Sequence, residues 1–326
     1  MTKKSLILFL GLALGALSVD LNAQDAHFSQ YFSSPLYTNP ALIGQINGDF
    51  RLNMLYRSQW NAFKNAAFQT GSFSADGRFG RFGLGVSAVD QVSVDRFDRL
   101  SFNVGGSYDL SMAYNNAHHL VFGVQAGVYS ISTGKNSTQP DQYVDGFGAI
   151  GANTEELNNL SVLSPDVNFG LLWFNGSSKL RWTPFAGAAV YHLLQPYDSF
   201  DKSKKLPMRF LVHGGVRYRT NSNIDFTPNV MISMQETHYN AIAGCNASYQ
   251  LIDTYTSLEG GLSYRLDDAI VPYLGIGYKD FAFGVTYDVN MTSLSKVGPR
   301  KNALEFSLTY VSSRNSVKKQ FICPRL

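Results

Sequence analysis

The chain has 326 residues, 16% of them charged, with 27 Lys and Arg against 24 Asp and Glu and a formal net charge of +3. So even a balance argues against nucleic-acid binding, which shows as clustered Lys/Arg in a strongly basic domain. The two cysteines, Cys245 and Cys323, are too few for a disulfide framework and lack the CxxC or Cys/His spacing of a zinc site, so they read as separate thiols.

Residues 1–23 read as a cleavable signal peptide: Lys3 and Lys4 form the positive n-region, 5–19 the apolar h-region, and Ala23 the small residue before cleavage. The apolar run is shorter than the roughly 20 residues of a membrane-spanning helix. No later run approaches the length of such a helix, but a transmembrane β-barrel, apolar only at alternate positions, fits.

Residues 24–48 are rich in aromatics, Pro and Asn and do not alternate. From 49 to 313 the dominant pattern is a segment of about ten residues with period two, the signature of strands with one apolar face. Leu100, Phe102, Val104, Tyr108 and Leu110 oppose Ser101, Asn103, Gly105, Ser107 and Asp109; Phe281, Phe283, Val285, Tyr287 and Val289 oppose Ala282, Gly284, Thr286 and Asp288. In the first segment Phe50, Leu52, Met54 and Tyr56 form the apolar face, and Leu55 breaks the pattern.

The pattern predicts fourteen strands, near 49–58, 66–76, 82–90, 99–111, 118–130, 165–175, 180–193, 207–220, 223–234, 237–249, 254–265, 269–278, 280–289 and 304–313. Every second link is short, and the other set contains all the long ones, of which 131–164 is the longest. That parity predicts an all-β, up-and-down antiparallel barrel in the outer membrane, with tight turns and both termini in the periplasm. A soluble β-sandwich also alternates, but its strands are usually nearer 5–6 residues. The 131–164 loop, with a Gly/Phe patch at 144–150, is a candidate cap or outer docking surface.

The alternation points Arg51, Arg57, Arg209, His213, Arg217, Arg219 and Arg265 into the lumen with Asp109, Glu259, Asp288 and Glu305. Two readings stay open: an interior held by ion pairs and water, or an anion-favouring channel or peptide-docking cavity. No histidine has a paired nucleophile and orienting acid that spacing establishes. The glycine-rich stretch 77–85 lies in a hairpin with no helix to cradle phosphate. The reading is therefore non-enzymatic, with no cofactor and no metal.

The ends carry a resemblance. Gln24, Asp25, Phe28, Ser29, Gln30, Tyr31, Pro35, Leu36, Asn39, Pro40, Ala41 and Gly44, continued by Arg51, Tyr56, Arg57, Gln59 and Trp60, resemble the PorP/SprF family of the type IX secretion system, found in the outer membrane of Bacteroidetes. Segments 262–268, 272–278 and 283–288 look like its C-terminal strands. The tail 322–326, Ile-Cys-Pro-Arg-Leu, is similar to its Cys-Pro-Arg-aromatic ending, with Leu326 in place of the aromatic residue. The resemblance implies a membrane protein needed for secretion or surface anchoring of cargo such as gliding adhesins, working with other secretion components. A general porin or solute channel is the alternative reading.

On strand parity, 24–48 and the tail 314–326 both belong to the periplasmic side. Phe28, Gln30, Tyr31, Pro35, Asn39, Pro40, Cys323 and Arg325 are the candidate docking residues there. The aromatics of 24–48 either pack against the barrel mouth, fold back as a plug, or meet a periplasmic partner.

Overall fold

The structure is a computed structural model that describes residues 25–59, 68–93, 97–112, 117–133, 143–144, 148–149, 160–177, 179–220, 223–252, 254–291 and 302–312. Fourteen strands close into one antiparallel barrel. They are β1 (Phe50–Gln59), β2 (Phe68–Phe79), β3 (Phe82–Ser93), β4 (Phe97–Met112), β5 (His118–Thr133), β6 (Ser161–Asn175) and β7 (Trp182–Tyr191). The second half comprises β8 (Arg209–Arg219), β9 (Ile224–Gln235), β10 (His238–Gln250), β11 (Thr256–Arg265), β12 (Ala269–Tyr278), β13 (Phe281–Asn290) and β14 (Ala303–Ser312). β1 pairs with β14 from Phe50↔Ser312 to Gln59↔Ala303, so no edge is left to lipid.

All fourteen expected strands are present. β4, β5 and β6 run longer than expected, at 16, 16 and 15 residues, because their outer ends keep pairing, from Phe97↔Thr133 and Ser132↔Ser161 inward. The loop expected at 131–164 is therefore shorter, since 131–133 and 161–164 are strand. Of its 144–150 patch, Val144 and the adjacent Tyr143 pair antiparallel with Gly148 and Ala149, and the remainder lies outside the described residues. With tight turns on the periplasmic side, Phe50 and Ser312 mark the inner end of the barrel, and Gln59, Tyr191, Arg209 and Gln235 the outer end.

The outer wall exposes large apolar side chains, among them Met54 at 51% and Leu274 at 72%, as a lipid-facing surface must. The interior is not a hollow polar lumen. Eight strands make a barrel that wall side chains can fill, whereas fourteen leave a space. Residues 25–48 occupy it, which corrects the placement of this segment in the periplasm. The physical reason is burial: Phe28, Leu36, Leu42, Ile43 and Ile46 are each 5% exposed or less.

Within the segment are a 3-10 turn (Tyr31–Ser33), one short helix α1 (Pro35–Thr38) and a second 3-10 turn (Pro40–Leu42). Pro35 and Pro40 each open a turn where their missing N–H is no loss. The Asn39 side chain caps the second turn, accepting from Ala41 N at 2.9 Å.

Candidate functional site

The segment crosses the whole lumen. At the outer end, Asp25 N donates to Gln235 Oε1 at 3.0 Å. At the inner end, Asp49 N donates to Ser312 O at 2.8 Å. Between them, four sets of contacts tie it to the wall.

The first joins Ser29 and Gln30 to β1, β11, β13 and β14. Their backbone N–H groups donate to the two oxygens of the fully buried Glu305 carboxylate, at 2.7 and 2.8 Å. Arg57 pairs with Glu305 and, at 3.0 Å, with Asp288; Arg265 reaches the same Asp288 oxygen at 3.0 Å and Asp268 at 2.8 Å. Ser29 Oγ donates to Asp288 Oδ1 at 2.6 Å. At the core of this buried network, two guanidiniums face two carboxylates, the balance a low-dielectric interior requires. His27 lies beside it, with Nε2 3.5 Å from Arg265 Nη1.

The second set is at the outer mouth. His192 Nε2 meets Asp25 Oδ2 at 2.9 Å, and His192 Nδ1 meets Asp166 Oδ2 at 2.8 Å. Arg209 Nε approaches Asp25 Oδ2 at 3.2 Å, with its guanidinium stacked between the Tyr37 and Tyr191 rings at 4.4 and 4.3 Å. Burial alone would lower the His192 pKa, but the flanking Asp25 and Asp166 carboxylates outweigh it and raise it to about 9. Burial pushes Asp25 upward, yet His192 and Arg209 win and hold it well below the usual carboxylate range.

The third set is a close backbone approach. Asn39 Nδ2 donates to Leu171 O at 3.0 Å and lies 3.0 Å from His213 Nε2. A methyl group on Gly123 would overlap the Pro40 carbonyl, and one on Gly170 would overlap Asn39 Oδ1. Glycine here makes room for the segment. The fourth lies near the inner end, where Asp76 accepts from Gly44 N at 2.7 Å and pairs with Arg51 at 2.9 Å.

Apolar contacts complete the filling. Leu55, the break in the first strand's pattern, points inward and packs against Phe28 with Val89 and Tyr37. Tyr31 joins Tyr191, Leu211, Met231 and Ile242, and its hydroxyl donates to Asn229 Oδ1 at 2.6 Å.

Of the expected lumen charges, Arg57, Arg209, His213, Arg265, Asp109, Asp288 and Glu305 are buried, and each guanidinium of the set is engaged. Arg217 pairs with Asp225, Arg219 donates to Ser177 O at 3.0 Å, and Glu259 accepts from Tyr273 OH at 2.8 Å. Phe28, Gln30, Tyr31, Pro35, Asn39 and Pro40 are buried in the lumen, so none offers a periplasmic surface; Cys323 and Arg325 lie outside the described residues. Asp166, His192, Tyr191 and the close-approach glycines were not singled out from the sequence. Inward parity flags Asp166, but nothing local marks His192, which follows β7 with a left-handed φ of 59°.

The chain matches type IX secretion system membrane protein PorP/SprF over residues 20–310. It belongs to the PorP/SprF family. It is accordingly an outer-membrane protein, with the closed barrel that such a location demands. No curated protein matches it. Among solved structures, a monoaromatic hydrocarbon channel, the TodX deltaS2S3 mutant, has a TM-score of 0.51 at 11% identity, covering 84% of this chain and 93% of that one. The toluene transporter TbuX of Ralstonia pickettii scores 0.49 at 12% identity, covering 85% and 91%. The first likeness extends to the fold alone.

Proposed function

We propose that this PorP/SprF family member is a non-enzymatic component of type IX secretion that holds or anchors secreted cargo, such as gliding adhesins, at the outer membrane. Residues 1–23 direct its export, and the tail 314–326 stays in the periplasm, where it is available to other secretion components. The observation that carries the reading, beside the family, is the occupied lumen: a solute channel needs a path, and here the space is taken by residues 25–48. The arginines that favoured an anion channel serve instead as partners of carboxylates and carbonyls.

Deletion of the gene followed by a survey of surface adhesins tests the role. Loss of one or more adhesins from the surface is expected, and a normal adhesin complement overturns it. Affinity purification from native membranes then names the cargo and the periplasmic partners.

A further inference from the structure

We propose that the outer mouth holds a carboxylate-binding site whose resident occupant is Asp25, and that an acidic segment of a partner protein arriving from the cell-surface side can take its place. The site belongs to the barrel wall. Arg209 and Gln235 stand at the outer ends of β8 and β9, His192 directly follows the outer end of β7, and Asp166 is in the outer half of β6.

Each group is held independently of Asp25. His192 N donates to Asn168 Oδ1 at 3.0 Å while its Nδ1 is fixed by Asp166. Tyr191 stacks on Arg209, and Gln235 Nε2 donates to Pro207 O at 3.1 Å. Charge sets the ligand class. With Asp25 present, two carboxylates meet a guanidinium and an imidazolium. Without it, Asp166 alone faces two buried cations, which is costly in a low dielectric. When Asp25 leaves, either His192 gives up the proton that Asp25 helps to hold or another anion takes the vacated place, and an incoming carboxylate keeps both cations paired.

Two features make exchange feasible. Arg209 Nη2 is buried and has no hydrogen-bond partner among the described residues, leaving a donor for an incoming carboxylate. A cavity of about 70 Å³ adjoins it, lined by Arg209, Phe28, Tyr31, Leu211 and Met231, and reaches the exposed Tyr239 at the outer rim. Asp25 sits at the outermost described end of the threaded segment, beyond the deeper anchors that begin at Ser29. Residues 25–27 can lift without breaking the Glu305 network.

The test uses the full-length purified protein carrying Cys245→Ser, Cys323→Ser and Ala26→Cys, with maleimide labelling as readout. A hexaglutamate peptide should speed labelling at position 26 by about threefold or more, and hexaglutamine should not, because only the acidic peptide shifts the displaced state. In parallel, Asp25→Asn should gain thermal stability from added acetate in a saturable way, and Asp25→Asn with Arg209→Gln should not. The proposal is overturned if hexaglutamate acts like hexaglutamine, or if acetate leaves Asp25→Asn unchanged. Inorganic phosphate matching acetate would overturn the carboxylate assignment in favour of a general anion site. That the partner is a secreted protein rests on the proposed function; the peptide experiment does not, so either can fail without the other.

Discussion

Individual side chains in this barrel are committed mainly to keeping the lumen filled. Glu305 carries the most, since its carboxylate serves two backbone N–H groups and one guanidinium. Glu305→Ala leaves both amides without an acceptor and Arg57 with only Asp288, which Arg265 shares, and should cost about 3–5 kcal/mol by chemical unfolding in detergent. Gly123→Leu drives a side chain into the Pro40 backbone, and should lower stability by about 1–3 kcal/mol or exclude the segment from the lumen. The outer ion pairs predict a pH profile. The folded protein keeps the His192 proton up to about 9, whereas an unfolded chain releases it near 6.5. This stabilisation is complete below 6.5 and drains away as the pH rises through 9. Asp25 works in the other direction, giving stability above its ordinary value of 3.8 that is lost in acid. Melting temperatures from pH 6 to 10 should fall in the wild type, and the fall should shrink in His192→Asn.

Among the described elements, the threaded segment 25–48 fills the lumen, and it is predicted to decide whether the barrel conducts. The wall is a continuous ladder and owes the segment none of its strand-to-strand hydrogen bonds, yet its inward apolar side chains pack on Phe28, Tyr31 and Leu42. Deleting 25–48 should leave the strands paired and expose a water-filled lumen. In planar bilayers the truncated protein should conduct steadily, about tenfold or more above the wild type, because the interior of a fourteen-strand barrel exceeds what its wall can fill. Equal, negligible conductance in both would show that other residues close the pore. The 25–48 segment was the least legible element in the sequence. It has no period, and its partners stand more than two hundred residues away, as Ser29 and Glu305 do. The strands were legible because alternation is local.

For the whole molecule, the closed ladder predicts resistance to detergent until heated. An unboiled sample should migrate differently from a boiled one on a denaturing gel, and mobility indifferent to boiling would count against the barrel. The chain by itself determined the strand number, the lipid-facing side, the inward set of charges and the family, because period-two patterning and end motifs are read residue by residue. Only the tertiary structure decided that the first stretch after the predicted signal peptide crosses the lumen to the outer mouth. It also decided that Leu55 is a packing residue and that Asp25, His192, Asp166 and Arg209 form one cluster. Those outcomes follow from closing a wide barrel around a segment that buries its apolar side chains and balances its charges on strands remote in sequence.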